Sequence, residues 1–91
     1  MHFVYIVRCA DRSLYTGYAR DPDERLMVHN AGKGAKYTAS RLPVVLVYKE
    51  TCASRSAALK REHEIKTWSR AKKEALLAKR RLRGVNRLSQ R

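Results

Sequence analysis

Phe3-Val4-Tyr5-Ile6-Val7 and Leu14-Tyr15-Thr16-Gly17-Tyr18 decide the architecture. Both runs are rich in β-branched and aromatic residues, and the connection through Ala10-Asp11-Arg12-Ser13 is short and polar. Two such runs joined tightly read as an antiparallel hairpin. Asp11-Arg12 is a weaker turn than Asp-Gly would be, because arginine resists positive φ. If the connection puts Tyr5 and Tyr15 on one face, two phenols project into the same space. Ordinary aromatics packing a core are the alternative at this point.

Downstream, Asp21-Pro22-Asp23-Glu24 is a compact helix start: Asp21 can cap, Pro22 suits the first helical position, and Glu24 has capping-box spacing. The helix should run through Arg25-Leu26-Met27-Val28-His29 and stop near Ala31-Gly32, opening a loop with Lys33, Gly34, Lys36, Tyr37, Thr38 and Arg41. Val44-Val45-Leu46-Val47-Tyr48 reads as a third strand, apolar on both faces and so expected to be central or well covered. Ser54 caps a second helix from Arg55 to Thr67, and Ser69 a third from Arg70 to Arg80. From Arg81 onward the chain is basic, contains Gly84 and has little apolar pattern, which reads as a flexible tail. The order β-β-α-β-α-α predicts an α+β domain over residues 1–80, a small three-stranded antiparallel sheet flanked by helices, with a basic tail over 81–91.

Ninety-one residues make one domain with one modest core. Lys and Arg number 21 against 8 Asp and Glu, for a net charge of +13. Residues 60–91 alone hold twelve basic and three acidic side chains. Such a field suits a polyanion, and nucleic acid is the commonest for a compact basic domain. A solvated surface or a membrane-surface contact is the plainer alternative, and charge says nothing about catalysis. Cys9 and Cys52 form no CxxC pair, so neither structural zinc nor a disulfide framework is expected, only free thiols. No apolar run approaches the ~20 residues that span a bilayer. The Met1-His2-Phe3-Val4 start lacks the basic region of a signal peptide, so the expectation is a cytoplasmic protein with no membrane partner.

Two further features bear on chemistry. Arg25 and His29 are four apart, one above the other on the first helix, and could present a permanent cation and a titratable base to the hairpin. A solvent-facing polar pair is the alternative. Ala58, Glu62 and Ile65 share one stripe of the second helix, so Glu62 is expected to face the sheet with Glu64 pointing to solvent. An inward carboxylate must be paired, hydrogen-bonded or metal-bound. A salt bridge to Arg25 or another cation competes with Mg²⁺ held alongside phosphate oxygens. Together the features describe a phosphate-processing site.

These residues resemble the GIY-YIG nuclease superfamily. Val4-Tyr5 matches the end of the first half-signature, and Tyr15-Thr16-Gly17 matches the second. Arg25 and His29 stand at the spacing of the family's first helix, and Ala58-Leu59 with Glu62 and Ile65-Lys66 looks like its metal-binding helix. Asn30-Ala31-Gly32-Lys33-Gly34-Ala35-Lys36-Tyr37-Thr38 is similar to a loop of the small stand-alone bacterial subgroup (YhbQ-like). Phe3 and Thr16 depart from the Gly and Ile of the two triplets, and the Asn that often follows the metal-binding helix has no match.

The resemblance implies hydrolysis of a nucleic-acid strand, DNA first and single-stranded or branched forms among its substrates. The attack is in line, by water, with one Mg²⁺ or Mn²⁺ ion. On that pattern Glu62 holds the metal, Arg25 binds the scissile phosphate, and Tyr5 or Tyr15 takes the proton from water. His29 is the natural partner for the phenol, because a free phenol near pKa ~10 is a poor base at neutral pH. Gly17 is expected to let backbone and substrate approach closely. Lys33, Lys36 and Arg41 are expected to track phosphates and Tyr37 either to stack on a base or to pack under its loop. A protein partner could supply substrate targeting. The competing class is a non-catalytic basic nucleic-acid-binding or ribosome-associated module with the same fold. Metal-dependent cleavage discriminates the two.

Overall fold

A computed structural model describes residues 1–88, with side chains through Lys79. The opening runs form strands β1 (His2–Arg8) and β2 (Leu14–Ala19), paired antiparallel so that Tyr5 opposes Gly17 and Val7 opposes Tyr15. Side chains alternate across a strand. Tyr5, Val7, Tyr15 and Gly17 therefore share one face, and Val4, Ile6, Leu14 and Thr16 the other. Arg12 takes the turn's left-handed conformation with φ 73°, the strain expected of a non-glycine residue there. The turn is held from outside: Arg70 donates to the Arg12 carbonyl at 2.6 Å, and Arg41 pairs with Asp11 at 3.0 Å.

Helix α1 (Pro22–Asn30) begins as its sequence dictates, with the Asp21 carboxylate accepting from the Glu24 amide at 3.1 Å and Pro22 at the first turn. The stretch after it is not entirely loop. A single turn of helix, α2 (Lys36–Ala39), forms where an irregular segment was expected. Strand β3 (Val45–Cys52) then pairs antiparallel with β1, giving the order β2-β1-β3.

That order corrects one expectation. The third strand lies at an edge, with Val45 60% exposed, and β1 is central. Apolar runs on β1 and β3 are equally strong in sequence, and pairing alone decides which is flanked. Four consecutive residues of β1, Val4 to Val7, are buried as a result.

Helices α3 (Arg55–Lys66) and α4 (Arg70–Leu88) follow, capped by Ser54 and Ser69 hydroxyls that accept from Ala57 and Lys72 amides. Helix α4 continues through residues 81–88, which the sequence reading gave to a flexible tail; residues 89–91 lie outside the described ones. Arginine and leucine are good helix formers, and the single Gly84 costs only about 1 kcal/mol. Among the described residues no helix is long and apolar enough to cross a membrane.

Two cores result. Val4 and Ile6 pack with Tyr48, Ala58, Ile65 and Leu77 beneath α3 and α4, with Trp68 at the margin as an anchor. On the other face Tyr5, Val7, Cys9, Ala19 and Val44 pack with Leu26 and Leu42 on the α1 side. Cys9 and Cys52 are free thiols. A bidentate Arg8–Glu74 pair, at 3.0 and 2.9 Å, ties α4 to the central strand.

Candidate active site

Pro22, Leu26 and His29 recur at i, i+4 and i+7 on α1, the spacing of one helical stripe. The stripe faces the sheet, and His29 is fully buried with both ring nitrogens bonded. The Thr38 hydroxyl donates its only proton to the Ala35 carbonyl at 3.0 Å, so toward His29 it accepts, at 2.8 Å from Nδ1. Nδ1 therefore carries the imidazole proton, and Nε2 offers a lone pair to the Tyr5 phenol at 2.8 Å. The hydrogen-bond network assigns one tautomer and one direction of donation, Tyr5 to His29 to Thr38 to Ala35. Burial, then the nearby Arg25 charge, push the His29 pKa below its usual value. The ring is neutral at pH 7, as an acceptor must be.

Two glycines make room for this chain. A Cβ at Gly17 would sit 2.5 Å from both Cζ and Oη of Tyr5, because the ring lies flat over the opposing strand. Gly17 thus seats Tyr5, a steric role beside the close backbone approach expected from the motif. A Cβ at Gly34 would run into His29 Nδ1. Gly34 has no positive φ, so its lack of a side chain, not its flexibility, is what the site uses.

Tyr15 shares the face of Tyr5, as one of the two readings anticipated. Its ring meets His29 edge-on at 5.4 Å and stacks on Tyr37 at 6.0 Å. Tyr5 is 1% exposed, and burial drives its pKa up to about 12, with Arg25 pulling in the opposite direction. Arg25 acts on both Tyr5 and His29, so the guanidinium belongs to this cluster.

Glu62 comes from the other layer. Ala58 and Ile65 are fully buried, whereas the Glu62 side chain is 18% exposed, at the margin of the stripe and not within it. Its partner is Lys66 at 3.1 Å, not Arg25. Lys66 in turn lies over the Tyr15 ring, 5.5 Å from its centroid, and the Glu62 charge is near enough to raise the Tyr5 pKa. The two layers therefore meet at the free edge of β2. Phenols, imidazole and guanidinium come from one side, and the Glu62 carboxylate, held on Lys66, acts on Tyr5 electrostatically from α3.

The loop residues divide. Lys33 and Lys36 are exposed. Tyr37 takes the packing option against Tyr15, with the Arg41 guanidinium 4.0 Å from its ring centroid. Arg41 also donates to the Tyr37 carbonyl at 2.7 Å and pairs with Asp11, so its charge staples the loop to the hairpin turn. Thr38, Gly34 and Lys66, which the sequence reading placed in the loop and the second helix without a site role, complete the cluster.

Comparison with known proteins identifies the family. The GIY-YIG catalytic domain model matches residues 1–75. A UPF0213 protein of Staphylococcus haemolyticus is 57% identical over 79 residues, covering 87% of this chain and 96% of the relative. One from Staphylococcus epidermidis is 64% identical over 72 residues, covering 79% and 88%. The solution NMR structure of a UPF0213 protein from Bacillus halodurans superposes with a TM-score of 0.55 at 48% identity, over 85% of this chain and 82% of that one. An NMR structure of an E. faecalis protein gives 0.59 at 41% identity, over 89% and 86%. With the catalytic-domain model matched over most of its length and relatives this similar, this chain belongs to the GIY-YIG family.

Proposed function

We propose that the protein is a metal-dependent endonuclease that hydrolyses phosphodiester bonds in DNA, with Tyr5 and His29 as its proton relay. The observation that carries this reading is the directed hydrogen bond from the Tyr5 phenol to the neutral Nε2 of His29. A phenol with a pKa near 12 cannot wait as phenolate at neutral pH. It can accept a proton from water while handing its own to an imidazole already in place, so no free phenolate forms. The water oxygen bonds to phosphorus, the bond to the leaving oxygen breaks, and the proton ends on His29. Arg25 beside the phenol offsets charge on the phosphoryl oxygens. Tyr15, between Tyr37 and Lys66, walls the site at the β2 edge.

Among the described residues no three His, Cys, Asp or Glu side chains gather to form a cage. One partly exposed carboxylate still fits Mg²⁺ or Mn²⁺, since such ions bind through one or two carboxylates plus substrate phosphate and keep several waters. Glu62 would hold the ion, shifting Lys66 from its pairing, and the ion would polarise the phosphate and steady the leaving oxygen.

The test is cleavage of labelled single-stranded, duplex and branched DNA across a Mg²⁺ and Mn²⁺ titration. Glu62→Gln, Arg25→Ala and Tyr5→Phe should each lower the rate by about 10²–10³-fold. Absence of any metal-dependent cleavage by the unchanged protein, with binding retained, would leave the non-catalytic basic module as the function.

A further inference from the structure

The outer surface of α3 carries a second feature that the proton relay does not use. Arg55, Ser56, Leu59, Lys60 and His63 line an open groove of about 680 Å³. Its centre, Leu59, is 41% exposed, an apolar floor between cations. Six basic residues elsewhere, Arg8, Arg41, Lys49, Arg61, Lys66 and Arg70, pair with carboxylates. Among the described residues no acidic side chain pairs with Arg55 or Lys60. Residues 80–91 contain no Asp or Glu that could do so. The positive field extends past the groove, since the N-terminus, Arg20 and Arg55 all act on His2, which is burial-shifted toward its neutral form.

The groove also adjoins the candidate active site. Leu59 precedes Glu62 by three residues and Lys66 by seven, so it lies on the same helix ridge as that pair. Cations without a carboxylate partner beside an exposed apolar side chain on this open face of α3, one turn from the proposed phosphate-processing site, fit one chemistry best.

We infer that this groove on α3 binds the sugar-phosphate backbone of the nucleic-acid strand flanking the bond to be cut. The inference rests on the nuclease reading for the position of that bond, but its test does not. Arg55 to His63 spans about 12 Å at 1.5 Å per residue. One strand of a duplex presents a phosphate about every 3.4 Å of axis, so about three phosphates fit along the groove. Arg55 and Lys60 each take one, and Leu59 packs against the sugars between them. The site differs from the Lys33–Lys36 loop, which lies on the α1 side of the sheet.

The experiment is a fluorescence-anisotropy titration of a labelled DNA duplex, and of its single strand, in metal-free buffer over a KCl series. The full chain is compared with Arg55→Gln/Lys60→Gln and with Lys33→Gln/Lys36→Gln, and thermal melting confirms that each pair of surface changes leaves the fold intact. Loss of two phosphate contacts should reduce the slope of log K against log salt by about 1.8 for duplex and about 1.4 for single strand. An unchanged slope in the α3 variant overturns the inference, as does a slope lost only in the loop variant. Binding to anionic phospholipid vesicles that depends on Arg55 and Lys60, with DNA binding unaffected, overturns it as well. The nuclease reading fails separately, on cleavage by the unchanged protein. A reduced slope without cleavage keeps the groove as a strand-binding surface, and cleavage without a reduced slope removes it.

Discussion

Replacing Thr38 with valine tests the proton relay at the point furthest from substrate. The two side chains are nearly isosteric, so the change removes a hydroxyl and little volume. That hydroxyl accepts from His29 Nδ1 at 2.8 Å and donates to Ala35 at 3.0 Å, beside a ring with no exposed surface. In Thr38→Val the Nδ1 proton has no acceptor, and leaving a buried donor unmade costs about 1–3 kcal/mol. For a domain of this size each kcal/mol lowers Tm by about 4–8 °C.

The ring can escape part of that cost by moving its proton to Nε2. It then donates to Tyr5 and no longer accepts from it. The assay is therefore double: thermal unfolding for the magnitude, and ¹⁵N NMR of the imidazole for the tautomer. The expected result is a melting point lowered within that range together with a shift toward the Nε2-protonated form. Thr38→Ser should restore both. If Thr38→Val melts like the unchanged protein and keeps its Nδ1 proton, the directed chain does not exist as drawn, and His29 loses its role as the phenol's acceptor.

Three other predictions concern the scaffold. Thr16 Oγ1 is buried with no hydrogen-bond partner among the described residues, so Thr16→Val should raise stability by about 1 kcal/mol in urea unfolding, and a loss would show that the hydroxyl has a partner. Gly17→Ala forces a Cβ to within 2.5 Å of the Tyr5 phenol, and overpacking of this kind costs about 1–3 kcal/mol; an unaltered melting point would mean that Tyr5 is not seated there. The Arg8 guanidinium holds Glu74 down to about pKa 2 from an unfolded value of 4.5, so its contribution is complete above 4.5 and fades as pH falls toward 2. With about a third of that side chain exposed, screening limits the effect to about 1 kcal/mol. Glu74→Gln should lessen the acid sensitivity of unfolding in that window, and an identical acid profile would refute the pairing.

What sequence determined by itself was much of what is governed within a few residues along the chain, though not the short helix α2 or the extension of α4. The hairpin runs, the Asp21, Ser54 and Ser69 caps and the shared helical face of Arg25 and His29 are set by local sterics and periodicity. Helical periodicity singled out Glu62, and the motif likeness gave it a metal-binding role. Tertiary structure decided what depends on contacts between distant segments. Strand β1 became central because β3 returned to its free edge, and His29 acquired a defined tautomer because α2 carried Thr38 beneath it. Gly17 proved to be a seat for Tyr5 only through strand register, and Glu62 lay at the margin of its stripe, paired with Lys66, instead of buried within it. Such contacts are bought with loop-closure entropy and settled by packing, neither of which any single window of sequence encodes.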